Sequence, residues 1–170
     1  MQQPGATMYN VRAIAQSKTA QGFSLIELMI SLAIISILAV VGLPAYQGYV
    51  ETTNMAKVND AYQHAVRAAQ QEFSKDTARI SLGFASTLPA DEAGWIDVFD
   101  AGDKNAAPGG GLLYVTDASS SVDRDLAGAI NVTFNLATEE VEIVRPSYLS
   151  LIGFSATISR TGLDVAEVSP

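Results

Sequence analysis

An α+β chain is what these 170 residues predict: a long N-terminal helix, membrane-spanning in its first half and packed by its second half on a C-terminal antiparallel sheet of about four strands. Three observations carry that prediction. Residues 23–43 form a run of 21 with a single charge, Glu27. The following stretch places apolar residues three and four apart. The last third holds short β-branched and aromatic runs divided by turn residues.

The first element, residues 1–22, reads as a weakly basic leader whose only ionised side chains are Arg12 and Lys18. Met8 as the start would shorten it to 15 residues. The second element, residues 23–50, is a membrane helix, because 21 residues at about 1.5 Å each reach roughly 30 Å. Thirteen of those residues are Phe, Leu, Ile or Val, worth very roughly −4 to −8 kcal/mol of insertion, against about +3 kcal/mol for a deeply placed Glu27. Both nearby basic residues precede the span and the next is Lys57, so the positive-inside bias puts the N-terminus in the cytoplasm. A cleaved secretory signal has a shorter apolar core, and the nearest exit site, Leu43-Pro44-Ala45, lacks a small residue at its first position. A plain anchor explains the hydrophobicity and leaves the lone carboxylate unexplained.

Gly22-Phe23-Ser24-Leu25-Ile26-Glu27-Leu28-Met29 resembles the type IV prepilin cleavage and methylation motif, and the likeness extends to about Tyr49, including Pro44. The resemblance implies a cut between Gly22 and Phe23 by a membrane prepilin peptidase, N-methylation of Phe23, and an assembly role for Glu27. Cleavage leaves an α-amino group within one helical turn of Glu27, and in side-by-side packing that carboxylate meets a neighbour's ammonium. Ser31 and Ser36 are placed to bond to carbonyls four residues back. Pilins of this family often carry a disulfide closing a C-terminal loop, which this cysteine-free chain cannot form.

The third element, residues 51–76, continues the helix as an amphipathic one. Met55, Val58, Tyr62, Ala65, Ala69 and Phe73 define its buried stripe; Asn59, Asp60, Gln63, Arg67, Gln70 and Gln71 are polar. From residue 24 to about 76 such a helix runs roughly 80 Å. Pro44, with Gly42 and Gly48 near it, marks the helix kink, since proline removes one intrahelical bond and clashes with the preceding turn; a loop at this point is the alternative. His64 lies one turn after Asp60, an arrangement that reads as a solvated helix pair.

Residues 77–111 form a connecting region. Within it, residues 91–99 read as a short helix burying Trp95, Ile96 and Phe99, and residues 101–111 are turn material. Asp100, Asp103 and Asn105 have oxygens spaced somewhat like a calcium loop, without the downstream bidentate glutamate such loops use; the reading is a solvated loop and no metal site. The last element, residues 112–170, holds strands at 112–116, 129–135, 140–145 and 154–160, with 163–168 a candidate fifth and a hairpin turn at 137–139. Residues 119–121 and 123–125 read as loop, and the sequon at Asn131 lies inside a strand.

Composition narrows the function. The absence of cysteine and the single histidine exclude thiolate nucleophiles and multi-histidine metal centres. A net charge of −8 argues against bulk nucleic-acid binding, and from residue 81 onward thirteen acids face four bases. The expectation is a non-enzymatic subunit without cofactor, held in the inner membrane before assembly. The resemblance implies that it is trimmed by the peptidase and polymerised by the pilus assembly machinery into an extracellular homo-oligomeric filament serving adhesion, twitching motility or DNA uptake. A minor pilin, a type II secretion pseudopilin, and a membrane-anchored periplasmic binding domain remain as alternatives.

Overall fold

The computed structural model describes residues 22–116 and 127–168. The expected leader before Gly22 and the loop at 119–125 lie outside them. The chain divides into two compact units, Met1–Leu43 and Pro44–Pro170. Helix α1 (Leu25–Ser81) begins in the first and continues in the second, with Pro44 inside it.

In the first unit, Ser24 opens α1. Its carbonyl accepts from the Leu28 N–H at 3.2 Å, and its hydroxyl accepts from the Glu27 N–H at 3.4 Å. The Ser31 and Ser36 hydroxyls donate to the carbonyls of Glu27 and Leu32, each at 2.7 Å, so both serines are satisfied within the helix, as expected.

In the second unit, α1 buries Val58, Tyr62, Ala65, Val66, Ala69, Phe73 and Asp76, the anticipated stripe with Val66 and a carboxylate added and Met55 only half-buried. The helix runs to Ser81, past the expected end near residue 76, because its stop signal is Gly83. At a φ of 84°, Gly83 donates to Ile80 O at 2.9 Å while Phe84 donates to Arg79 O at 3.1 Å, which is the Schellman pattern of helix termination. Helix α2 (Glu92–Phe99) is capped by Asp91, whose carboxylate accepts from the Gly94 N–H at 2.8 Å. It buries Trp95 and Phe99, while Ile96 stays half-buried.

Among the described residues the sheet has five strands, the four expected and the candidate fifth, in sequential order: β1 (Tyr114–Val115), β2 (Ile130–Asn135), β3 (Glu140–Arg145), β4 (Gly153–Ser159) and β5 (Gly162–Val168). The last three pairings are antiparallel as expected. The first is parallel, with Tyr114 opposite Ile130, so the all-antiparallel expectation is corrected at this edge. The β2–β3 turn contains Glu139 at a φ of 53°.

Register places Val132, Ile143, Ala156 and Val165 on one face and Thr133, Glu142, Thr157 and Asp164 on the other. In β2, β3 and β4 the first face packs into the core with α1 and α2, and the second is polar, which is the two-layer arrangement that period-two alternation produces. Trp95, fully buried, stacks on Phe73 with centroids 5.4 Å apart and touches Phe99 and Phe134 at 6.0 Å. Gly128, at a φ of 69°, admits no side chain, since a Cβ there would lie 2.9 Å from Val58.

Among the described residues, no buried residue precedes Val58. Removing residues 1–50 is therefore expected to leave a soluble, acidic, monomeric domain whose melting temperature ignores reductant. Size-exclusion chromatography and thermal melts with and without dithiothreitol check this. Insolubility where the full chain is stable in detergent would misplace the boundary.

Candidate functional site

The start of α1 carries the site. Large apolar side chains from Phe23 to Leu43 are exposed all round the helix, Phe23 and Leu25 at 82%, and none of the span is buried by the chain itself. Exposed apolar surface on this scale marks contact with lipid or another chain. Glu27 is the one ionisable side chain in that surface and sits in the first helical turn, where the unpaired N–H groups and the helix dipole favour a negative charge. Ser24 and Glu27 also complete the S-x-x-E pattern of a capping box. That pattern is legible in the sequence. Gly22, Phe23 and Ser24 directly precede α1, Glu27 stands in its first turn, and Gly42 and Pro44 lie well along the same helix.

The remaining candidates resolve into structure. Both Asp100 oxygens are taken by Asn105, through its backbone N–H at 2.9 Å and its side-chain amide at 2.8 Å, and Asp103 donates its N–H to Asp100 O at 3.0 Å. This is a self-closed turn. Among the described residues no cluster of three metal-ligating side chains occurs. Asp60 and His64 lie on the exposed side of α1.

Sequence reasoning missed three charged residues. Asp76, fully buried, accepts from the Thr87 N–H at 2.8 Å and faces Arg160 Nη1 at 2.7 Å. Arg160 also donates through Nε to Glu139 at 2.7 Å, so one guanidinium ties α1 to the β2–β3 and β4–β5 turns. Burial pushes the Asp76 carboxyl up, but the Thr87 N–H, the Ser86 hydroxyl and Arg160 together hold it below its ordinary range. Arg145 is buried on the core face. It donates to Asn59 and to Ile152 O, the latter at 2.7 Å, and its guanidinium lies 5.0 Å from the Phe154 ring centroid and 5.5 Å from that of Tyr62. Burial lowers its pKa and raises that of Tyr62. The Tyr114 phenol is pushed up to about 12 by burial and by the Asp100 charge; its O–H donates to Ala61 O at 2.9 Å. These groups fasten the head together.

Fold and site together define a class: a protein that presents an uncovered apolar helix, with one carboxylate in its first turn, ahead of a helix-on-sheet head. A family model, the prokaryotic N-terminal methylation motif, matches residues 17–43. The chain is 35% identical to fimbrial protein Q of Moraxella bovis over 121 residues, which is 65% of this chain and 76% of that protein. It is 33% identical to fimbrial protein EcpC of Eikenella corrodens over 115 residues, 64% of this chain and 69% of the other. A type IV major alpha-pilin of Moraxella bovis shares 54% identity over 39 residues, 23% of this chain and 24% of that one. No solved structure matches. The chain belongs to the type IV pilin family.

Proposed function

We propose that this pilin is a non-enzymatic structural subunit of a type IV pilus, stored as a single-pass protein of the inner membrane with its N-terminus cytoplasmic. A prepilin peptidase cuts between Gly22 and Phe23 and methylates Phe23. The assembly machinery then stacks the chains into an extracellular filament that serves attachment, twitching or DNA uptake. The observation that carries this reading is the uncovered apolar span with Glu27 in its first turn. Lipid covers that surface before assembly and neighbouring helices cover it afterwards. In the filament core the Glu27 carboxylate meets the Phe23 ammonium of another subunit, so an ion that is costly alone sets the register when paired. Gly42 and Pro44 are where the helix yields as it passes from one surrounding to the other.

Processing tests the reading. Mass and N-terminal peptide analysis of the mature chain are expected to show Phe23 first, about 14 Da heavier for one methyl in place of a hydrogen. Gly22→Leu is expected to leave the precursor uncut. A mature terminus near Tyr46 would restore a secretory signal and defeat this one. The fraction of sheared filaments made of this chain separates a major subunit from a minor one.

A further inference from the structure

Aromatic side chains mark the two ends of the apolar run and avoid its interior. From Ser24 to Ala45 the sequence has none, whereas Phe23 precedes that stretch and Tyr46 and Tyr49 follow it. Both tyrosines lie within α1, 66% and 71% exposed, and neither joins the core of the head. Three residues apart, they share one side of the helix. Beyond them the surface changes character within one turn. Glu51, Thr52 and Thr53 are exposed, and the threonine hydroxyls donate to Gly48 O at 2.8 Å and to Tyr49 O at 2.9 Å.

A tyrosine has an apolar ring and a polar tip, so it gains most at the boundary between acyl chains and headgroups. The spacing agrees with that placement. Tyr46 follows Glu27 by 19 residues, a helical rise of roughly 28 Å against a hydrocarbon thickness of about 30 Å. A helix with Tyr46 at one boundary therefore has its carboxylate at the other. The apolar run by itself would sit differently. With Phe23 to Leu43 filling the bilayer, Glu27 would lie about 6 Å inside, where a charge is costly, and Tyr49 about 9 Å outside.

Building on the membrane-storage reading above, we propose that Tyr46 and Tyr49 anchor the stored subunit in the periplasmic headgroup–acyl boundary and hold Glu27 at the cytoplasmic one. The partner is lipid, met by two amphipathic rings and not by charge. Depth is thereby set from the end of the span opposite the carboxylate. Glu27 keeps its water in the stored state and gives it up only when a neighbouring subunit supplies the ammonium, so the costly burial of the ion is deferred to assembly.

The chain has no cysteine, so one introduced thiol reports its own depth. Full-length Glu27→Leu chain is the background, because it removes the carboxylate's own preference for the boundary. Single cysteines are placed in turn from position 38 to position 56, omitting 46 and 49, and spheroplasts are treated with a maleimide that cannot cross lipid. Labelling is expected to begin beside Tyr46. With Tyr46→Ser and Tyr49→Ser together it is expected to begin beside Leu43, about one helical turn earlier. Tyr46→Trp and Tyr49→Trp are expected to return it to the first limit. If the serine pair does not accumulate, each single serine variant serves, with part of the same shift expected. A limit beside Leu43 while both tyrosines are present, or one that serine leaves in place, overturns the anchor. So does a serine shift that tryptophan fails to reverse. Absence of the chain from membranes, or labelling of Ala33→Cys as fast as Ala56→Cys, overturns the membrane reading first and the anchor with it.

Discussion

Glu27→Leu is expected to leave membrane levels and cleavage at Gly22 normal, to reduce N-methylation, and to abolish filaments. The substitution removes the only ionisable side chain from the apolar span, so insertion improves by up to about 3 kcal/mol. An anchor would tolerate that or gain from it. In a packed filament core the same change deprives the neighbouring Phe23 ammonium of its counter-charge, and removing one partner of a buried pair costs about 3–5 kcal/mol per contact. The two effects have opposite signs at the two stages, which is what makes the variant informative. Immunoblots of membranes against sheared fractions measure both. Wild-type filament yield, with this chain as the main component, would end the role assigned to Glu27.

Arg160→Met is expected to destabilise the head by about 3 kcal/mol at pH 7 and by less as the pH falls. The methionine keeps most of the buried stem and removes the cation facing Asp76, leaving a carboxylate buried without its counter-charge. In the native chain the Asp76 carboxyl titrates below its ordinary value. Its ionised form therefore stabilises the fold above a pH of roughly 4, and that contribution is lost as pH falls through the depressed value. Without Arg160, burial acts with less opposition and the carboxyl titrates higher. Protonation then relieves the folded variant first, and its deficit narrows toward acid. Urea unfolding of the domain beginning at Glu51, at pH 7 and at about pH 4.5, measures the difference. A deficit equal at both values would assign the loss to packing and not to charge.

The same guanidinium joins elements far apart in the chain. Arg160 lies just before β5 and reaches both Asp76 on α1 and Glu139 in the β2–β3 turn. It connects three elements through charge alone. Nothing in the periodicity announces this. Asp76 falls on the buried stripe of α1, but a lone carboxylate there reads in sequence like the helix's solvated end.

The apolar run, the position of its one carboxylate, the capping pattern at Ser24, the amphipathic second half of α1 and the cores of β2, β3 and β4 were all set by sequence alone. Each is a local property: hydrophobicity summed along a run, a period of 3.6 or 2, or a cap three residues from its partner. Even the overlooked end of α1 was written locally, in Gly83. Tertiary structure decided the parallel pairing of Tyr114 with Ile130, the burial of Arg145 between Tyr62 and Phe154, the Asp76–Arg160–Glu139 tie, and the reach of the helices across the sheet that leaves Leu163 and Val165 uncovered. Those outcomes depend on which distant segments meet. A charge or an apolar side chain has the same local signature whether the chain later brings it a partner or leaves it facing water, and only loop closure and packing separate the two.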